Sequence, residues 1–396
     1  MSNTQKKNVP ELRFPGFEGE YSLDIFGNLA TNKSDKFNPQ NENASIDIEL
    51  DCIEQNTGRL IKIYNSKEFS SQKNKFNPQN VLYGKLRPYL NKYYFTKKSG
   101  VCSSEIWVLK STKEDKLLIL FLYYFIQTKR YSDVASKSAG SKMPRADWGL
   151  IENIRVYFPE LCEQQKIGEF FSKLDRQIEL EEQKLELLQQ QKKGYMQKIF
   201  SQELRFKDEN GNDYPEWVVK LIGDIGKVAM NKRIYKHETS ANEEIPFYKI
   251  GNFGKKADTF ISREQFNEYK EKYPYPKKGD ILISASGSIG KTIEYKGEEA
   301  YYQDSNIVWL DHNEEVLNVF LKYFYILVKW NGVEGTTIKR LYNKNILNTK
   351  IDLPTISEQQ KIGDFFCYID NLIEIQEQKL EFLKRRKQSL LQKMFV

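Results

Sequence analysis

Apolar residues fall at Ile167, Phe171, Leu174, Ile178, Leu185, Leu188, Tyr195 and Ile199, and with Glu181 and Lys192 in the gaps the steps run 4, 3, 4, 3. That spacing is a heptad seam and predicts one long helix with a single apolar stripe. The pattern returns near the other end of the chain, at Ile362, Phe366, Ile369, Ile373, Gln376, Leu380, Leu383, Lys387, Leu390 and Met394. Even the polar interruptions hold equivalent places. A helix of this size is about 57 Å long, too long to stay single in water with one apolar face. Each helix is the natural mate of the other, and a pseudo-two-fold relation between them makes the pair an antiparallel coiled coil with a globule at each end. Phe170 and Phe365 sit one residue off the seam. They predict either a second apolar face for a partner protein or packing on their own globules.

The two helices belong to a tandem repeat. Glu163–Phe200 and Glu358–Phe395 share 21 identities in 38 positions, beginning with "EQQKIGEFF" and "EQQKIGDFF". Upstream, "ELRF" at Glu11 recurs at Glu203, "FLYYF" at Phe121 answers "FLKYF" at Phe320, and Pro159 answers Pro354. The offset drifts between 192 and 200 and returns to 195, as one scaffold with small loop insertions would give. In each half a short turn or helix ("GNLA", "GDIG") precedes strand-like runs: "NVLYGKL" and "EIWVLK" in the first, "DILISAS" and "SNIVWL" in the second. An apolar helix follows, around Leu117–Gln127 and Val316–Val328, and then a closing strand that ends at Pro159 or Pro354. The expected fold is α+β. Two pseudo-symmetric mixed α/β domains, 1–158 and 201–353, are each followed by a long helix, 159–200 and 354–396.

Composition narrows the class. The 396 residues are 39% hydrophobic and 13% aromatic, which excludes wholesale disorder, and a net charge of +7 is a mild basic bias compatible with nucleic acid. Cys52, Cys102, Cys162 and Cys367 lack any CxxC spacing and predict buried thiols in a reducing compartment, with no metal site. The opening residues have no apolar signal-peptide core, and the longest apolar run, Leu117–Ile126, is too short for a bilayer. A cytoplasmic protein with no membrane partner is expected.

"ASGSIGKT" at Ala285–Thr292 imitates a phosphate-binding loop but has Ala where that pattern needs Gly, and "IEYKGEEAYY" after it reads as strand and turn. The two histidines, His237 and His312, form no HExxH pair. "FNPQN" at Phe37 and Phe76 lacks the second proline and the aromatic of a methyltransferase motif. No catalytic residue and no bound cofactor is expected; the chain reads as a binder.

The framework repeats while the loops differ. The first half offers Lys85, Arg87, Tyr89 and Lys92, then Ser103 and Ser104, then Lys142 and Arg145. The second offers Ser284, Ser286, Ser288, Lys291 and Thr292, then Gln303 and Asn306, then Thr337, Lys339 and Arg340. Such side chains contact phosphates and base edges. Two like scaffolds with unlike loops suit double-stranded DNA, whose backbone dyad a pseudo-symmetric protein can match, at a site with two different halves. A coiled-coil scaffold without DNA specificity is the alternative.

The duplicated "EQQKIG[ED]FF…EQKLE" helices, "GKLRPYLNK…GVCSSEI" and "GDILISASGSIGKT…QDSNIV" together resemble the specificity (S) subunits of type I restriction-modification systems. The resemblance spans nearly the whole chain. It implies that 1–158 and 201–353 are target-recognition domains and that the subunit has no active site of its own. It also implies assembly with two methyltransferase (M) subunits, which bind S-adenosylmethionine and methylate adenine, and with restriction (R) subunits that use ATP and Mg.

The paired helices should act as a ruler between the two halves of the DNA site. Four residues inserted after Gln191 lengthen the helix by about 6 Å, nearly a full turn, so the seam is only mildly disturbed. With about 3.4 Å per base pair, the spacer of the methylated site should grow by one or two base pairs while both half-sites stay the same. Methylation mapping of the variant checks this; an active variant that keeps its original spacer contradicts it.

Overall fold

The computed structural model describes residues 8–43, 45–137, 143–330 and 340–396. The chain divides into two compact units, Met1–Lys184 with Gln376–Val396, and Leu185–Ile375. Each unit contains a globule, the first part of the helix that follows it and the last part of the other long helix.

The strand-like runs form the centre of each unit. Strands β1 (Val81–Gly84) and β2 (Ile106–Ser111) pair antiparallel in the first, Ile106 opposite Gly84. Their counterparts β3 (Ile281–Ser284) and β4 (Ile307–His312) pair antiparallel in the second, Ser284 opposite Ile307. Both sheets have four strands in the same order. All four residues of β1, and all four of β3, are buried, because each strand is covered on both faces. In the second unit Ile281 and Ile283 face the apolar helix, whereas Leu282 packs with Phe253 and with Tyr302, which belongs to a smaller sheet. That smaller sheet contains a parallel pair, Tyr248 beside Tyr302, and the first unit has the same pair in Ile48 beside Cys102. The closing strand lies against the start of its own globule, Phe158 opposite Ser22 and Leu353 opposite Val218.

Helices α1 (Ile119–Phe125) and α3 (Asn318–Leu327) are the expected apolar helices, and α2 (Leu161–Phe200) and α4 (Ile356–Met394) are the long ones. The repeated EQQKIG motif fixes how a long helix leaves its globule. Buried Glu163 takes a two-pronged bond from Arg13 of the first ELRF, at 2.8 and 2.7 Å. Buried Glu358 takes the same from Arg205 of the second, at 3.2 and 2.8 Å. The next residue caps the apolar helix: Gln164 accepts from the Leu118 N–H at 2.9 Å, and Gln359 from that of Leu317 at 2.8 Å. Those amide donors have no carbonyl partner within their own helices. Glycine comes last. A Cβ on Gly168 would lie 2.8 Å from Leu120, and one on Gly363 2.5 Å from both methyls of Val319.

Within each unit the two helix segments run antiparallel, since rising numbers on α2 meet falling numbers on α4. In the first, Phe171 lies 6.2 Å from Phe395, Asp175 pairs with Lys387 at 2.6 Å, and Gln376 donates to the Glu181 carboxylate at 2.7 Å. In the second, Lys192 pairs with Asp370 at 2.5 Å and Phe200 lies 6.5 Å from Phe366. The polar seam positions are thus satisfied across the seam, which a buried Lys387 or Gln376 requires. Ile167, Phe171, Leu174, Ile178, Ile362, Phe366, Ile369, Leu380 and Leu383 are buried, whereas Leu185, Leu188 and Ile373 are half-buried. One seam position departs near each C-terminal end: Met196 and Leu391 are buried, while Tyr195 is exposed and Leu390 half-buried, and the seam residues Ile199 and Met394 beyond them are buried.

Two glycines in the long helices separate helix propensity from packing. Gly194 has nothing within 4 Å of a built Cβ, so Gly194→Ala should stabilise by about 0.5–1 kcal/mol. Gly363→Ala drives its methyl into stiff Val319, and overpacking of about 1–3 kcal/mol outweighs the same propensity gain. Thermal unfolding should show the first variant above wild type and the second below it; a rise in both would remove the close-approach role of Gly363.

Candidate nucleic-acid interface

Three segments distant in sequence meet at the end of the central strands of each unit. In the first, the Lys85 N–H donates to the Glu105 carbonyl at 3.0 Å, the Ala146 N–H to the Lys85 carbonyl at 2.8 Å, and the Arg87 N–H to the Pro144 carbonyl at 2.7 Å. Leu86 and Arg145 form a one-residue bridge. In the second unit, the Ala285 N–H donates to the Asn306 carbonyl at 2.7 Å and the Leu341 N–H to the Ala285 carbonyl at 2.8 Å. Ser286 and Arg340 bridge as Leu86 and Arg145 do. The same junction therefore exists twice. It gathers Lys85, Arg87, Ser103, Ser104 and Arg145 in one unit, and Ser284, Ser286, Ser288, Lys291, Asn306 and Arg340 in the other.

The side chains on the two junctions differ. Arg87 is held in the left-handed region, with φ at 53°, opens a short 3-10 turn (Pro88–Leu90), and exposes its side chain beside exposed Tyr89. A non-glycine residue in that conformation stores about 1–3 kcal/mol of strain, which the surrounding backbone bonds must impose. Arg145 forms a two-pronged bond with Glu105 at 3.0 and 3.1 Å, and this bond holds the Glu105 carboxyl below the usual carboxylate range. In the second unit Ser286 donates to Asn306 Oδ1 at 2.7 Å, and Arg340 donates to the Ser305 carbonyl at 3.1 Å with its guanidinium 6.0 Å from the Tyr342 ring. A cleft of about 460 Å³ opens there between Met230, Ser305 and Arg340–Lys344.

Several of the expected residues make internal bonds. The Lys92 and Lys291 ammonium groups donate to the Leu50 and Phe253 carbonyls at 2.5 and 2.6 Å, equivalent roles in the two units. Gln303 accepts from the Ile250 N–H at 3.0 Å, and buried Ser284 bonds to the Ser288 carbonyl and accepts from the Lys291 N–H. Thr292 lies in the strand Thr292–Glu294, opposite Ile283, so the Gly/Ser loop leads into strand instead of a phosphate-binding helix. Lys142, Thr337 and Lys339 lie outside the described residues. Phe170 is half-buried, 5.6 Å from Phe14, and Phe365 lies 5.3 Å from Tyr195 and 5.5 Å from Phe206, each pair within one unit.

Sequence reasoning missed Glu105, Asp304, Arg233 and Tyr342. Arg233 bonds to Asp304 at 2.9 Å, bringing a fourth segment to the second junction. The basic cluster Lys232, Arg233 and Lys236 was the available signal.

Comparison with known proteins bears on the whole chain. Two stretches, residues 20–190 and 214–385, match the family model described as the type I restriction modification DNA specificity domain. A Haemophilus influenzae protein named as a type I restriction enzyme specificity subunit is 58% identical over 36% of this chain, a match spanning 37% of that relative's length. The MjaVIII specificity subunit of Methanocaldococcus jannaschii is 27% identical over 75% of this chain and 74% of its own. Among solved structures, a chain from work on assembly and conformational transition of the type I R-M system superposes with a TM-score of 0.60. It is 17% identical and covers 94% of this chain and 97% of its own. The type I system S subunit from M. genitalium gives 0.57 at 17% identity over 98% and 99%. These structural likenesses establish the fold, and the family match covers both repeats. The chain belongs to the type I restriction-modification DNA specificity family.

Proposed function

We propose that this chain is the DNA-recognition subunit of a type I restriction-modification complex and that its two units read the two unlike halves of one bipartite site. The observation that carries this reading is the duplicated three-segment junction, one backbone arrangement presenting Lys85, Arg87 and Arg145 in one unit and Ser286, Asn306 and Arg340 in the other. Recognition of one duplex by two equivalent scaffolds with different side chains gives an asymmetric target. A coiled-coil scaffold without DNA specificity gives no reason for the loops to differ where the framework repeats.

In this reading the chain contributes no catalytic group. Two M subunits dock on it, bind S-adenosylmethionine and methylate adenine in the half-sites, while R subunits use ATP and Mg to cut. The M. genitalium S subunit and the Methanocaldococcus jannaschii specificity subunits, named for the same role, support it. Among the described residues no helix is long and apolar enough to cross a membrane, in keeping with work on DNA in the cytoplasm.

The purified chain should bind duplex DNA with an affinity that falls as salt rises, and alone it should neither methylate nor cut. Arg87→Ala should weaken binding and flatten the slope of log affinity against log salt by roughly 0.9 if it contacts a phosphate, with its melting temperature unchanged. A base contact should instead cost about 1–3 kcal/mol and relax one position of the site. Binding titrations at several salt concentrations check this. Affinity indifferent to salt, or methyl transfer by the isolated chain, would overturn the reading.

A further inference from the structure

Both junctions place an acid against an arginine on the surface assigned to DNA. In the first unit Glu105 accepts both prongs of Arg145 at 3.0 and 3.1 Å. In the second, Asp304 accepts from Arg233 at 2.9 Å. Glu105 ends "CSSE" and Asp304 lies within "QDSN", the two segments that answer each other in the repeat, yet the arginines come from different segments, one late in its unit and one early. The partners are not equivalent in the alignment, and the second pair has one bond where the first has two, but each sets an acid of the same segment against an arginine. The arginine side chains are about half exposed, Arg145 at 51% and Arg233 at 57%, whereas the acids are more covered, Glu105 at 27% and Asp304 at 13%. An ion pair whose arginine is half in water is screened by solvent, so its contribution to stability is modest.

What an acid does to a DNA-facing arginine is a matter of electrostatics. The Glu105 carboxylate fills both prongs of the fork that a phosphate would fill, and Asp304 occupies one donor of the other arginine. Phosphate contacts supply most of the sequence-independent affinity of a DNA-binding protein. A phosphate that displaces the carboxylate leaves that carboxylate facing the polyanion, and like charges brought together oppose binding.

Resting on the reading of these junctions as the DNA surface, we propose that Glu105 and Asp304 are specificity-determining residues. They hold Arg145 and Arg233 in place and withhold them from phosphates of non-cognate DNA. The carboxylates lower affinity for the wrong sequence, and the arginines are released only where the fit of the whole site repays the exchange. This goes beyond a list of contacts, because the residues that matter most for selectivity are acids.

The test uses the full-length chain and a mixed-sequence duplex, with affinity measured by fluorescence anisotropy over a range of salt. Glu105→Gln and Asp304→Asn should each bind this duplex more tightly than wild type and steepen the salt slope by roughly 0.9, one added phosphate contact. Glu114→Gln, which removes the same charge from an exposed position bonded to neither arginine, controls for net charge and should leave the slope unchanged. In the double variant Glu105→Gln/Arg145→Ala the gain should vanish, since it acts through the arginine. A Glu105→Gln slope equal to that of Glu114→Gln, or a gain that survives loss of Arg145, overturns the inference while the DNA-binding role stands. Absence of salt-dependent binding in wild type and every variant overturns the DNA-binding role, and this inference with it.

Discussion

Glu163 and Glu358 are buried carboxylates in the first turn of the long helices, each held by one arginine from the start of its unit. Removing the arginine leaves an uncompensated buried charge, at a cost of about 3–5 kcal/mol. The pair therefore fixes where the chain enters each unit relative to where the long helix leaves it. Neighbouring residues extend the constraint. Gln164 and Gln359 satisfy the amide at the start of the apolar helix, and Gly168 and Gly363 let the two helices touch. With this joint set, Phe171 and Phe366 reach the core beside Tyr124 and Tyr323, and the central strands close over the other side. The repeated "EQQKIG" is the sequence form of that joint.

Much of this was legible because it depends on periodicity. Heptad spacing gave both long helices, the runs around Val81, Ile106, Ile281 and Ile307 gave the central strands, and the repeat doubled the weight of each. The sheets that carry the parallel pairs were not legible. The strands of these sheets are two to four residues long, too short for alternation to register, and the parallel pairing of Ile48 with Cys102 joins segments far apart in sequence. The seam departs from the heptad at one position near each C-terminal end, where Met196 and Leu391 are buried in place of Tyr195 and Leu390 while Ile199 and Met394 keep theirs.

The candidate site was legible by segment and less so by side chain. Repetition marked the three segments that meet, because they differ where the framework is constant. Composition then favoured every lysine, arginine and hydroxyl in them. Lys92, Lys291, Gln303 and Ser284 were chosen on that ground, and all four bond to main-chain groups of their own unit. A residue type records what a side chain can do, whereas its partner depends on folds of the chain dozens of residues away. Glu105 and Asp304 were passed over for the converse reason: an acid is not chosen from sequence as part of a surface for a polyanion.

The account holds that two equivalent joints carry two independent reading surfaces. Exchange of residues 1–158 for the same segment of another family member leaves Glu163, Gln164 and Gly168 in place, and the incoming globule must bring an arginine where Arg13 stands. The decisive measurement is the methylated sequence produced by this hybrid with its methyltransferase partners. The account predicts that one half-site changes and the other stays the same. Alteration of both halves would show that the units do not read separately.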